Sequence, residues 1–405
     1  MKIGLLKETK TPVDNRVALI PAQIKELSEK YPDIEFKVQS SDIRAYSDDE
    51  YLKEGIEVSD NVDDCDLLLG IKEADISTII PGKHYIFFGH IAKKQAYNKP
   101  LFKKLLDLNT TFSDYEYLVG DDGIRLVAFG WYAGVVGVYY TLMGWGLRTK
   151  TFELTRPHMH FSIEEIIHNI KEANISGVKI VLTGSGRVSH GAQHILKEIG
   201  ALELSPEEFL NIDQPEGIAY CVLPIDELVA PDDPNKEFEL NDFINNPKEY
   251  HATFSRYTRS ADIMLSCHFW TNNQPVYLDR EDFKRSDFRI KMIGDITCDI
   301  KGSIKSTLRP STHSAPFYDY NPFTDSEEPA FSTDRNITVM AVDTCPNALP
   351  RVTSQYFGEQ LTKHVLIDLL NAESDRSKIL DRATIIRDGR LTAEFEYLND
   401  YVASF

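Results

Sequence analysis

The chain has 405 residues, too many for one ordinary hydrophobic core and suited to two domains. With 44 Lys+Arg against 63 Asp+Glu the formal net charge is −19, which argues against nucleic acid or an anionic membrane surface as partner. Any anionic small molecule must then be met by a local basic pocket.

Cys65, Cys221, Cys267, Cys298 and Cys345 form no CxxC pair and no disulfide framework, so free thiols in a reducing compartment are expected. Charged residues interrupt the N-terminal apolar stretch at Lys2, Lys7 and Glu8, unlike a signal peptide, and no apolar run reaches membrane-span length. The expected location is cytoplasmic.

In chain order, Lys2–Leu6 reads as a strand and Pro21–Tyr31 as a helix with proline in its first turn. Glu35–Val38, Asp66–Ile71 and His84–Phe88 read as strands, Lys94–Leu108 as an amphipathic helix, and Thr110–Leu118 as extended. Val135–Leu147 is apolar enough for a buried helix, and Ser162–Ala173 is a second. Lys179–Leu182 is a strand, followed by a glycine loop and the helix Ala192–Ile199. Further strands are predicted at Ala201–Leu204, Ala219–Leu223, Ile263–Ser266, Ile290–Ile293 and Ile337–Val342. The polar, proline-bearing segment Ala230–Ser260 is expected to wrap the surface, and Val352–Leu370 to be a long helix returning to the first domain. Strands alternating with helices predict an α/β fold of two Rossmann-like, doubly wound domains with mainly parallel sheets and the active site in the cleft between them. The expected domains are 1–135 with 352–405, binding substrate, and 136–351, binding a dinucleotide.

The loop Gly184-Ser185-Gly186-Arg187-Val188-Ser189 sits between a strand and a helix, the order a dinucleotide site needs. The first glycine allows the tight turn, the second lets backbone approach the pyrophosphate, and the helix N-terminus adds N–H groups. Ser189 stands at the third glycine's place, with Gly191 two residues on. If Ala201–Leu204 is the neighbouring strand, Glu203 lies at about the ~20-residue spacing of a ribose-binding acid. Ser205 follows that strand instead of an acid, so NAD and NADP remain equal candidates.

In open α/β sheets ligands bind beyond the carboxyl ends of the strands. The first domain would send Lys7-Glu8-Thr9-Lys10 with Asp14 and Arg16, Lys72-Glu73, His90 with Lys93, and Asp114-Tyr115-Glu116 with Arg125 to that edge. Each residue alone could be a solvated strand end, a satisfied core histidine or a surface ion pair; together they suit a basic pocket in which a Lys and a His divide acid–base work. The pair His158 and His160 has no Cys or acid partner at ligand spacing, and no metal is expected. Ser189-His190 is adjacency without triad geometry.

The KE…NRVALxP opening (Lys7-Glu8, Asn15–Pro21), the strand end Gly70-Ile71-Lys72-Glu73 and the strand-end His90 resemble the alanine dehydrogenase and transhydrogenase α-subunit superfamily. The stretches Phe88–Lys93, Arg125–Gly134 and Val342–Arg351 narrow the likeness to saccharopine dehydrogenase (lysine-forming), nearest the lysine–ketoglutarate reductase half of the bifunctional lysine-degrading enzyme. Gly184-Ser185-Gly186 and Asp295–Asp299 also have counterparts there, and the likeness spares only the Ala230–Ser260 region. The resemblance implies NAD(P)-linked interconversion of saccharopine with lysine and 2-oxoglutarate. It implies Lys72 and His90 as the acid–base pair, and Arg16, Arg125, Lys93 and Lys10 as holders of substrate carboxylates. Glu116 and Asp14 would temper the cations or meet substrate amines; Asp343 would lie near the nicotinamide, and Asp295 on the cofactor side. Because the sequence ends at 405, the glutamate-forming partner enzyme is expected to be absent. The alternatives are an alanine dehydrogenase-like amino-acid dehydrogenase and a non-catalytic dinucleotide-binding module. A homo-oligomer is allowed for.

Overall fold

Apolar runs buried on both faces make the strands, as in β4 (Leu67–Leu69), where all three leucines are buried. The computed structural model describes residues 1–370 and 378–404. The chain divides into two compact units, Met1–Phe129 with Pro350–Phe405, and Gly130–Leu349.

The first unit is built on β1 (Lys2–Leu5), β2 (Glu35–Gln39), β3 (Glu57–Ser59), β4, β5 (His84–Phe87) and β6 (Thr111–Asp114). All pair in parallel, and the carboxyl ends of β1, β4, β5 and β6 share one edge. Two strands absent from the sequence expectations, β17 (Thr384–Arg387) and β18 (Arg390–Leu391), extend this sheet antiparallel beside β6, giving the order β18-β17-β6-β5-β4-β1-β2-β3. They are short and polar at their turn, which hides them from a periodicity argument. The expected Val352–Leu370 helix runs as Pro350–Leu361, widens into a π turn at Thr362–Leu366, and resumes at Ile367–Leu370. Phe357 from this helix stacks on Phe129 at 4.5 Å, inside the first unit's core.

The second unit begins with the buried helix Gly130–Thr149, longer at both ends than the apolar run alone suggested. Helix Ile163–Glu172 starts where it does because Ser162 and Glu165 cap each other's backbone N–H groups. The sheet comprises β7 (Val178–Thr183), β8 (Leu202–Leu204), β9 (Ile218–Leu223), β12 (Ile263–Ser266), β13 (Met292–Asp295), β14 (Phe317–Asn321), β15 (Ser326–Glu328) and β16 (Ile337–Met340). Its order is β15-β14-β16-β13-β12-β7-β9-β8, with β14 and β15 antiparallel and the remainder parallel. Both units are thus α/β with mainly parallel eight-stranded sheets. Ala230–Ser260 departs from the surface-wrap expectation. It forms part of a small pair, β10 (Val229–Pro231) with β11 (Tyr250–Ala252), and buries Phe243, Tyr250, Phe254 and Tyr257 in the unit's core. The aromatic residues, not the prolines, decide its fate.

Two glycines bring the first helix onto Arg187–Glu198, the helix after the loop. A Cβ on Gly134 would lie 1.9 Å from the Val188 carbonyl oxygen, and one on Gly191 1.8 Å from that of Trp131. Close approach here is backbone on backbone, so the packing role expected of a third loop glycine falls to Gly191 while Ser189 is buried beside it. No helix among the described residues is long and apolar enough to cross a membrane.

Candidate functional site

In the second unit the loop starts at Gly184, whose φ of +86° and a Cβ position only 2.7 Å from the His268 Cα both demand glycine. Gly186 is different. Its backbone is extended, and a Cβ there would meet nothing within 4 Å. The chain's own packing does not require glycine at that point; it leaves bare backbone facing open space. Gly186 is also the N-cap of the twelve-residue helix Arg187–Glu198 and offers no side chain to its first N–H groups. Open backbone, uncapped donors and the helix dipole fit a pyrophosphate. Ser185 is exposed, and Arg187 and Val188 are half-buried at the helix start.

Glu203 does not sit beside this loop. The sequence reading took Ala201–Leu204 as the neighbour of β7, but β9 pairs with β7 along its length and β8 is pushed to the sheet edge. Glu203 is level with Tyr220, accepts a 2.8 Å hydrogen bond from its hydroxyl, and pairs with Lys197 at the far end of the helix. Asp295 ends β13 fully buried, its carboxylate taking hydroxyl hydrogen bonds from Thr297 and Thr307, both 2.6 Å, and the Cys298 N–H at 3.3 Å. Burial raises its pKa even so. Its oxygens are engaged by neighbouring side chains, which suits shaping the strand end. Asp343 is exposed just past β16.

In the first unit, the expected residues gather along one sheet edge as a chain of ion pairs. Glu73 joins two of them: Lys10 Nζ is 3.2 Å from Oε2 and His90 Nδ1 is 3.4 Å from Oε1. Against its burial, the His90 contact and the Lys10 charge hold the Glu73 carboxyl down at about 2. Glu116 joins two more, with Lys93 and Arg125 each 2.8 Å from Oε1, and these hold its carboxyl below the usual range despite burial. Its other oxygen, Oε2, is buried and has no hydrogen-bond partner among the described residues. Arg16 is buried with Asp14, giving 2.9 Å and 2.5 Å bonds from Nε and Nη2, and its guanidinium lies 4.1 Å from the centre of the Phe129 ring. The Asp14 carboxyl stays low, with burial opposing and Arg16 prevailing. Lys72 makes no side-chain hydrogen bond or ion pair among the described residues, although its charge is felt at Asp14.

Three carboxylates that the sequence placed at this edge without giving them a role build it. Asp114, fully buried, takes the Gly89 and His90 N–H groups on Oδ2 (3.1 and 3.0 Å) and the Glu116 N–H on Oδ1 (2.9 Å). It thereby fixes His90 in its left-handed conformation, φ 52°, and burial lifts its own pKa to about 6. Glu73 is the second. Glu8, the third, reaches across from the end of β1 and accepts the N–H groups of Ile71 at 2.6 Å and Lys72 at 2.9 Å. Their one sequence signal was position beside a strand end.

Loss of water around Glu8, with the nearby Asp14 charge, raises its pKa to about 8. Between pH 4.5 and 8 the folded chain therefore holds a proton that the unfolded chain has released, so stability falls as pH rises through this window. Thermal unfolding of the wild type should lose Tm from pH 5 to pH 9 by a component missing in Glu8→Gln; parallel curves for the two proteins would contradict this.

Residues 4–136 match the alanine dehydrogenase/PNT N-terminal domain. Alpha-aminoadipic semialdehyde synthase of Arabidopsis thaliana is 31% identical over 98% of this chain, which spans only 41% of that protein. Saccharopine dehydrogenase [NAD(+), L-lysine-forming] of Candida glabrata is 24% identical, covering 89% of each chain. In fold, an L-alanine dehydrogenase structure matches 99% of this chain and 100% of its own with a TM-score of 0.64 at 14% identity. By sequence the chain is a homologue of the alpha-aminoadipic semialdehyde synthases and the saccharopine dehydrogenases along most of its length, and the alanine dehydrogenase/PNT match is confined to its first third.

Proposed function

We propose that this chain is an oxidoreductase that interconverts saccharopine with lysine and 2-oxoglutarate, using a nicotinamide dinucleotide. The observation that carries it is the first unit's strand-end edge, where Arg16, Lys10, Lys93, Arg125, Lys72 and His90 gather on a protein of net charge −19. Saccharopine presents three carboxylates, and such a ligand calls for several cations in one place. Alanine presents one, which makes the small amino-acid dehydrogenase a weaker reading of the same edge.

The bound dinucleotide supplies hydride exchange; the protein binds, orients and moves protons. With Nδ1 of His90 turned to Glu73, Nε2 is the nitrogen left to take or give a proton. The Lys72 ammonium, which has no ion pair among the described residues, is the second group of the pair. In the direction of lysine formation, loss of hydride from the C–H beside the neutral secondary amine of the substrate would leave an iminium ion. Water adds to it as a base takes the water's proton, and the carbinolamine collapses to 2-oxoglutarate as an acid returns a proton to the departing lysine nitrogen. Lys93 and Arg125, positioned by Glu116, would meet carboxylates. The buried lone oxygen of Glu116 suits a substrate amine.

The test is dinucleotide oxidation, followed at 340 nm, with lysine plus 2-oxoglutarate against pyruvate plus ammonia. Turnover with the first pair is expected. Turnover with only the second would favour the alanine dehydrogenase-like reading, and cofactor binding without either would make the chain a binding module.

A further inference from the structure

The sheet order of the second unit changes which residues face the adenosine end of the cofactor. In a doubly wound dinucleotide fold, the residue that reads the ribose 2′ position lies at the carboxyl end of the strand next to the glycine-loop strand. Here that strand is β9 and not β8. The junction is tight: the Gly184 N–H donates to the carbonyl of Leu223, the last residue of β9, at 2.8 Å. The chain then continues Pro224-Ile225-Asp226-Glu227.

Charge at this strand end runs one way. From Ile218 to Asp233 there are four acids, Asp226, Glu227, Asp232 and Asp233, and no lysine or arginine. Glu227 is already engaged by Arg256 and the Tyr257 hydroxyl, which also occupies Arg256. Arg187, the cation on the loop itself, lays its stem against the start of the unit's first helix. Its Cδ is 3.6 Å from where a Cβ on Gly130 would be. Asp226 is exposed and has no hydrogen bond or ion pair among the described residues.

We propose that Asp226 selects the cofactor, accepting a hydrogen bond from the ribose 2′-hydroxyl of NAD(H) and repelling the 2′-phosphate of NADP(H). A carboxylate is an acceptor only, so it rewards a hydroxyl and penalises a dianion at the same spot, and Arg256, the arginine beside this strand end, is already paired with Glu227. This rests on the dinucleotide reading of the glycine loop and adds the choice between the two cofactors, which the loop alone leaves open.

The experiment is equilibrium binding of NADH and of NADPH, read by cofactor fluorescence and by calorimetry, on the wild type, Asp226→Asn, Asp226→Arg and Glu203→Gln. The wild type should bind NADH at least about tenfold more tightly, the scale of one charge-assisted hydrogen bond. Asp226→Asn should bring the two affinities within a few-fold, Asp226→Arg should favour NADPH, and Glu203→Gln should leave the ratio as in the wild type. NADPH binding as tightly as NADH in the wild type, or a ratio that answers to Glu203 and not to Asp226, overturns the proposal while leaving the dinucleotide reading intact. Binding of neither cofactor defeats both. Binding with the expected ratio but no turnover of lysine and 2-oxoglutarate defeats only the catalytic reading.

Discussion

Replacing Lys72 by methionine should slow turnover by about 10³-fold, in the range that a positioned acid or base contributes, and leave dinucleotide affinity within about twofold. The structure makes this a clean substitution. The Lys72 backbone is held from outside by Glu8, and its ammonium carries no ion pair among the described residues, so methionine removes a proton-transfer group without stranding a partner. His90 is less forgiving because it occupies a left-handed backbone at φ 52°; asparagine tolerates that conformation and is the better replacement. His90→Asn should show a comparable loss in turnover with dinucleotide affinity kept. Single-turnover rates with separately measured cofactor binding distinguish a chemical loss from a binding loss. Wild-type rates in both variants would remove the pair from the mechanism.

Arg16→Ala should destabilise the first unit by about 3–5 kcal/mol, the usual consequence of breaking a buried ion pair from one side. Arg16 and Asp14 are 4% and 2% exposed, and alanine would leave the Asp14 carboxylate in the core with no guanidinium. The expected sign of rescue is specific: Asp14→Asn in the Arg16→Ala background should recover part of the lost Tm, because it removes the stranded charge. This prediction qualifies the carboxylate-holding role inferred from sequence. Nε and Nη2 are committed to Asp14 and one face of the guanidinium lies on Phe129, so a raised substrate KM in Arg16→Ala means a binding role only if the protein remains folded at the assay temperature. An unchanged Tm with a raised KM would show that the ion pair is dispensable and the substrate contact is not.

Strand-length apolar runs made most of both sheets legible: Ile263–Ser266 was placed to the residue, and β1, β5 and β7 to within one or two. Order within a sheet was less so. Nothing in Leu202-Glu203-Leu204 says that it will take the edge and leave the inner place to Ile218–Leu223; that choice follows from burial, since β9 is almost wholly buried and β8 is not. The misplacement of Glu203 is a direct result. The cationic strand ends were readable because Lys72, His90, Lys93 and Arg125 follow or flank apolar runs. Their carboxylate partners were harder to see, since Glu8, Glu73 and Asp114 act through contacts up to 64 residues away in the chain.

The antiparallel strands at the edge of the first sheet have a bearing on how the polypeptide assembles itself. β6 pairs with β17, and Ser113 shares a hydroxyl hydrogen bond with Thr384, a partner that the ribosome adds 271 residues later. Between them lies the whole of Gly130–Leu349, a continuous stretch with its own sheet. During synthesis the second unit can therefore complete itself first, while the opening unit waits with the β6 edge uncovered and able to pair with another nascent chain. Slow passage through Thr384–Leu391, or its loss, should then appear as aggregation of newly made protein more than as a defect in the finished chain.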